Sequence, residues 1–142
     1  LDLARERAEG AHTYLVTPEH TTQARAAIGA DRLLAVEQAA VLTSDRETAL
    51  RRAREHLKTY LDLPNYRNNW LRLGLTEDDF ADGGSERLVD RLVVSGDEAA
   101  IRVRVDEQLA AGADHVCVQV LGDSMTDPMI GDWRSLAPAL LG

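Results

Sequence analysis

The sequence predicts an α/β fold with a parallel sheet, read as the C-terminal portion of a (β/α)8 TIM barrel, and three observations carry that reading. The first is a capped amphipathic stretch with Ile101, Val105 and Leu109 at four-residue spacing, leading through Gly112-Ala113-Asp114 into the apolar run His115-Val116-Cys117-Val118-Gln119-Val120-Leu121. Such a pair is half of a repeating α/β unit, and the run is expected to be apolar on both faces, as parallel strands covered by helices are. The second is that helical patterns separate all the apolar runs, which demands crossovers and hence parallel pairing. The third is size. A whole barrel takes roughly 250 residues, whereas this chain has 142 and opens without Met on a helical pattern, so it reads as the back part of something larger.

Taken in order, Leu1, Ala4 and Ala8 share one helical face, and Gly10 ends that helix. The first strand is expected over 11–17, with Tyr14, Leu15 and Val16. Pro18 stops it, because proline has no amide to give to a ladder. Thr17-Pro18-Glu19-His20 then reads as a turn, with Thr21 or Thr22 capping a helix through Ala27. The run 33–42, containing Val36, Val41 and Leu42, is the second strand. Ser44 or Asp45 caps the next helix, which carries Ala49, Leu50, Ala53, Leu57, Tyr60 and Leu61 on one side and charges on the other.

From about 64 to 94 the pattern loosens into short helical pieces at 66–73, at 76–80 with Thr76 as cap, and at 85–94. We read this as an insertion before the last of about three strands, and long insertions in barrels sit over an active site. Ser95 or Asp97 caps the helix that follows, Gly112 suits its C-terminus, and a short helix at 133–141 is interrupted by Pro138. The whole of 1–142 reads as a single domain. Three strands cannot close a barrel, so the fragment is expected to pair as a homodimer or with a complementing half-barrel.

Composition narrows the function. A net charge of −8 argues against nucleic acid and against an anionic membrane surface as partners. No targeting segment and no run of roughly 20 apolar residues is apparent, so a cytoplasmic location is expected. The single Cys117 permits no internal disulfide, and its strand position suggests a buried, inert thiol. No His spacing suits zinc, and no metal is expected. Fifteen Arg against the single Lys58 resembles the bias of a high-GC bacterial genome.

Several blocks carry a family resemblance. The run Ala8-Glu9-Gly10-Ala11-His12-Thr13-Tyr14-Leu15-Val16-Thr17-Pro18-Glu19-His20 is similar to the sixth strand region of luciferase-like monooxygenases, in the branch that uses the deazaflavin coenzyme F420. Leu63-Pro64-Asn65-Tyr66-Arg67-Asn68-Asn69-Trp70, Gly84-Ser85-Glu86-Arg87-Leu88-Val89-Asp90 and Gly112-Ala113-Asp114-His115-Val116-Cys117-Val118-Gln119-Val120 resemble later blocks in the same order. The resemblance implies an oxidoreductase in which F420, or alternatively flavin mononucleotide (FMN), exchanges a hydride with a small organic substrate. In such enzymes the cofactor carries the chemistry while the protein orients it and excludes water. The family's front half, which supplies much of its cofactor pocket, has no counterpart here.

Barrels place their sites at strand C-termini. That rule marks Thr17, Glu19 and His20 after the first strand, Thr43 and Ser44 after the second, and Gln119, Gly122 and Asp123 after the last. Of these, Thr17, Glu19, His20 and Gln119 are the expected cofactor-binding residues. Tyr66, Arg67, Asn68 and Asn69 read as a lid that grips an anionic or amide-bearing substrate, or else as a packing helix with Tyr66 and Trp70 inward. His12, His56 and His115 read as structural.

Two other readings compete. A catalytically inactive half-barrel would act as a structural or oligomerisation module. The block Gly122-Asp123-Ser124-Met125 looks like the serine block of Ser-Lys peptidases, but no lysine follows Ser124 to take its proton. No Gly-x-Gly-x-x-Gly follows a strand, which removes a dinucleotide-binding cradle.

Overall fold

The computed structural model describes residues 1–124 and 126–142, and among them four strands form one wholly parallel sheet. In chain order the elements are α1 (Asp2–Arg7), β1 (Gly10–Thr13), α2 (Pro18–Ile28), β2 (Leu33–Leu42), α3 (Arg46–Leu57) and α4 (Pro64–Arg72). A 3₁₀ segment (Glu77–Gly83) follows, then α5 (Glu86–Leu92), β3 (Val93–Gly96), α6 (Glu98–Ala110), β4 (His115–Val120) and α7 (Ile130–Leu141).

The ten-residue β2 is the spine of the sheet. It pairs with β1 at Leu33 to Val36, with β3 at Ala39 to Leu42, and with β4 at Ala35 to Ala40. Ala35 and Val36 therefore pair with both β1 and β4, and Ala39 and Ala40 with both β3 and β4. A strand has two edges, so β1 and β3 lie end to end along the edge opposite β4. Gly10 permits the closest approach, because a Cβ there would stand 2.1 Å from the Leu33 carbonyl oxygen.

Alternation sends successive side chains to opposite faces, and registered partners share a face. Leu34, Val36, Gln38 and Ala40 look one way, together with Val94, Val116, Val118 and Val120. Ala24 and Ile28 of α2, Ile101 of α6 and Leu136 of α7 seal that side. Glu37, Ala39 and Val41 look the other way, and there the cover is Ala53 and Leu57 of α3, Trp70 of α4, and Leu88 and Leu92 of α5. This second cover reaches only the C-terminal half. Below it, Leu33 is 54% exposed, and His12, His115 and Cys117 are exposed on the same face.

Local chemistry accounts for the helix starts. Asp45 accepts from the Thr48 amide (2.9 Å), Ser85 from Leu88 (3.0 Å) and Asp97 from Ala100 (2.9 Å), each satisfying an otherwise free first-turn donor. Buried polar groups on the sealed side form a chain. Thr21 donates to Gln108 (2.6 Å), Gln108 to Gln38 (3.1 Å), and Gln38 to the Leu92 carbonyl (3.1 Å), tying α2, α6 and β2 together. Asp114 accepts from the Leu34 amide (2.8 Å) and from Arg25 (2.5 Å), locking the entry of β4 to that of β2. Gly112 sits at φ +108°, where a Cβ would also meet Arg25 at 2.9 Å, so the Gly-Ala-Asp block serves packing.

The structure corrects four expectations. β1 stops at Thr13 rather than 17, because Leu15 adopts φ +51°, a left-handed conformation that breaks the ladder. Thr17 is consequently the cap of α2, with Pro18 as its first residue, so the helix starts before Thr21 and Thr22; proline's missing amide suits a first helical turn as well as a strand end. The segment read as helix at 85–94 ends at Leu92, and Val93 opens the short β3, giving four strands rather than three. β4 is apolar on one face only, and Cys117, expected buried, is exposed on the other. A helix pattern running straight into a four-residue strand leaves no punctuation to read.

Candidate active site

The groups best placed for chemistry meet under α3, where Tyr14 leaves β1 and Gln119 nears the end of β4. Tyr14 is the hub. Its hydroxyl lies 2.9 Å from Gln119 Oε1, 3.1 Å from His56 Nε2 on α3 and 3.3 Å from the Tyr60 hydroxyl just after α3. The aromatic rings continue as a row: Tyr60 stands 5.0 Å from Tyr66, Tyr66 5.7 Å from Trp70, and Trp70 6.0 Å from Phe80. These edge and tilted contacts suit ring quadrupoles and fix the row as one rigid wall.

Glu37 lies on this face of β2, beside Cys117 in the register, and is 5% exposed. One carboxyl oxygen accepts the Leu15 amide at 3.2 Å; the other is buried with no hydrogen-bond partner among the described residues. Burial pushes its pKa up to about 7, against a smaller opposing pull from the Leu15 amide. Leu15 is held in its left-handed conformation from both sides, since its carbonyl accepts Trp70 Nε1 at 3.1 Å. Left-handed backbone costs a non-glycine residue roughly 1–2 kcal/mol, and here two buried hydrogen bonds and a sealed side chain offset it. Burial also pushes Tyr14 up and His56 below the ordinary histidine value, disfavouring the charged form of each.

The expected site residues fall into three places. Gln119 joins the Tyr14 hub. Thr17 and Glu19 line a crevice of about 410 Å³ between α2, α5 and α6, with Asp90, Arg91, Arg104 and Glu107. There Arg91 reaches Glu19 at 3.5 Å and Arg104 reaches Glu107 at 2.9 Å. The amide of His20 donates to Thr17, its Nδ1 is buried without a partner among the described residues, and burial followed by nearby Arg72 pushes its pKa down. On α4, Tyr66 belongs to the aromatic row, Asn68 is exposed and Asn69 accepts from Arg72 at 3.4 Å. Arg67 binds the Leu61 carbonyl and Glu77 and lies 4.5 Å over the Phe80 ring, so its guanidinium is already engaged.

Sequence reasoning missed Tyr14, Glu37, His56 and Tyr60 as a group. The available signal was Glu37-Gln38 inside an otherwise apolar run, because a carboxylate in a central strand demands a reason. The serine block contains Met125, which lies outside the described residues. Ser124 itself pairs with Thr126 at 2.9 Å, and Lys58 is exposed beside Glu55, so among the described residues no base stands at the serine. Among the described residues no three His, Cys, Asp or Glu side chains form a metal cluster, and no helix is long and apolar enough to cross a membrane.

No protein-family model and no curated protein sequence matches this chain. Two solved structures share its fold. A coenzyme F420-dependent tetrahydromethanopterin reductase from Methanopyrus kandleri aligns at TM-score 0.60 and 15% identity, over 84% of this chain and 41% of that one. An F420-dependent secondary alcohol dehydrogenase, in complex with an F420-acetone adduct, aligns at TM-score 0.64 and 14% identity, over 99% of this chain and 46% of its own. The chain thus spans less than half the length of the structures it matches. Its α/β fold with a parallel sheet is that of the matching part of these F420-dependent enzymes.

Neither of the two cavities at the expected cofactor-binding residues fits such a cofactor by itself. The cavity beside the hub measures about 90 Å³, whereas small-molecule pockets run to roughly 300–1,000 Å³. The larger crevice at Thr17 presents three carboxylates against two guanidiniums that are already paired, which does not suit an anionic tail.

Proposed function

We propose that this chain is the C-terminal portion of a luciferase-like (β/α)8 oxidoreductase that uses coenzyme F420, with FMN as the alternative, and acts on a small organic substrate. The observation that carries the reading is the polar hub that Tyr14 and Gln119, near the C-terminal ends of β1 and β4, form with His56 of the covering α3, in a fold shared with two F420-dependent enzymes. In this reading Thr17, Glu19, His20 and Gln119 lie toward the cofactor, and Tyr66, Arg67, Asn68 and Asn69 toward the substrate as part of the α3–α5 cover. A second copy or a complementing half-barrel completes the site.

The chain's own residues have definable tasks in it. The aromatic row excludes water, Leu15 and Trp70 fix the hub's position, and Glu37 is a buried carboxyl able to hold a proton near neutrality. The test is equilibrium titration of the purified chain with F420, and separately with FMN, followed by fluorescence while light scattering reads the mass. Saturable micromolar binding supports the reading. No binding to either, with a dimeric or larger mass, would replace it with the inactive structural module.

A further inference from the structure

A groove runs between α3 and the 3₁₀ segment, on the side of the helix turned away from His56 and the hub. It measures about 680 Å³, against about 90 and 410 Å³ for the two cavities at the expected cofactor-binding residues. Small organic ligands occupy pockets of roughly 300–1,000 Å³. Leu50, Arg54 and Lys58 recur at four-residue spacing along it, and Phe80 and Gly83 close the other side. Leu50, Leu61 and Phe80 give it an apolar floor, which the methylene stems of Arg51 and Lys58 extend.

The cations of the groove differ in what they offer. Arg51 is held by Asp123 at 2.6 Å, and Lys58 stands exposed beside Glu55 at 4.0 Å. Arg54 is half-buried, its stem passes Gly83, and its Nε donates to the Gly84 carbonyl at 3.0 Å. Its Nη1 and Nη2 have no partner among the described residues and are not sealed from solvent. One nitrogen is thus fixed and a two-pronged fork stays open at the groove wall, a shape that a planar carboxylate matches through two parallel hydrogen bonds. Exposed Glu47 and Asp62 stand at the two ends, Glu47 about 10 Å along the helix axis from Arg54, where they repel a second negative group.

We propose that this groove is a binding site for an aryl carboxylate, an apolar monoanion whose carboxylate takes the Arg54 fork while its rings lie on Leu50, Leu61 and Phe80. A rigid ring system suits such a floor, because it buries its area at little conformational cost. A dicarboxylate or polyphosphate of similar length meets the end carboxylates and is disfavoured. The site stands apart from the oxidoreductase reading, and either outcome of the F420 titration leaves it untouched.

The test is fluorescence titration of the purified chain with 2-naphthoate, with naphthalene-2,6-dicarboxylate, and with the neutral N-phenyl-1-naphthylamine. Saturable binding of one naphthoate per chain is expected, with the dicarboxylate and the neutral ring probe each weaker by about threefold or more. Arg54→Gln weakens naphthoate about tenfold and leaves the neutral probe within about twofold. Leu50→Glu abolishes binding of both, whereas Leu33→Glu, on the open sheet face, changes neither. If Arg54→Gln does not fold, the two Leu variants and the comparison of one carboxylate with two decide the matter. Naphthoate binding that ignores Arg54→Gln, that is lost with Leu33→Glu rather than Leu50→Glu, or that is weaker than the dicarboxylate's overturns the proposal, as does the absence of saturable binding.

Discussion

The two faces of one sheet are built to different rules. On the face of Leu34, Val36 and Ala40, three helices close over apolar side chains, and the polar atoms of the Thr21–Gln108–Gln38 chain find partners. On the opposite face the same strands carry Glu37, Gln119, His115 and Cys117, with cover over the upper half only and, beneath it, a carboxyl oxygen that has no partner among the described residues. The first face is sealed along its length, while the second packs its apolar core over the C-terminal half alone. The second holds the groups that cost stability to keep, and such groups persist where they are used.

The widest gap should appear when a charge is placed on each face. Val36→Asp buries an unpaired carboxylate among Leu34, Ile28 and Val16 and is expected to prevent folding, whereas Cys117→Asp on the open face should cost about 1 kcal/mol or less. Circular dichroism with urea unfolding compares them, and equal damage would erase the distinction. Trp70→Ala should lose about 3–5 kcal/mol, because the indole is wholly buried and its N–H holds the Leu15 carbonyl.

Glu37 sharpens the comparison through pH. Its folded pKa is about 7 against an ordinary 4.5, so between those values the folded chain keeps a proton that the unfolded chain has lost, and stability falls as pH rises through the window. Glu37→Gln removes that loss. The variant should exceed the parent by about 3 kcal/mol above pH 8 and match it near pH 4; a constant difference across that range would mean that Glu37 does not titrate there. A smaller loss than at Trp70 is expected on the sealed side: Gln108→Leu should cost about 1–3 kcal/mol by stranding Gln38 and Thr21.

Much of the sealed face was legible in the sequence, because burial on one side leaves a periodic trace. β2 was placed at 33–42, and Asp97 was among the expected caps of α6. The working face left little trace. Tyr14 and Gln119 are 105 residues apart and meet only through strand pairing, and nothing local marks Leu15 as left-handed. β3 was lost because four residues directly after a helix carry no period. Gln119 was found by the strand-end rule, while His56 escaped because a helix histidine looks structural until its partner is seen.

The most direct test of the two-faced account is the reaction of Cys117 with a thiol reagent in the dilute native chain. An open face predicts prompt, stoichiometric modification at a rate close to that of the chain in denaturant. A thiol that reacts only after denaturant is added would show that this face is sealed like its opposite, and would contradict the account.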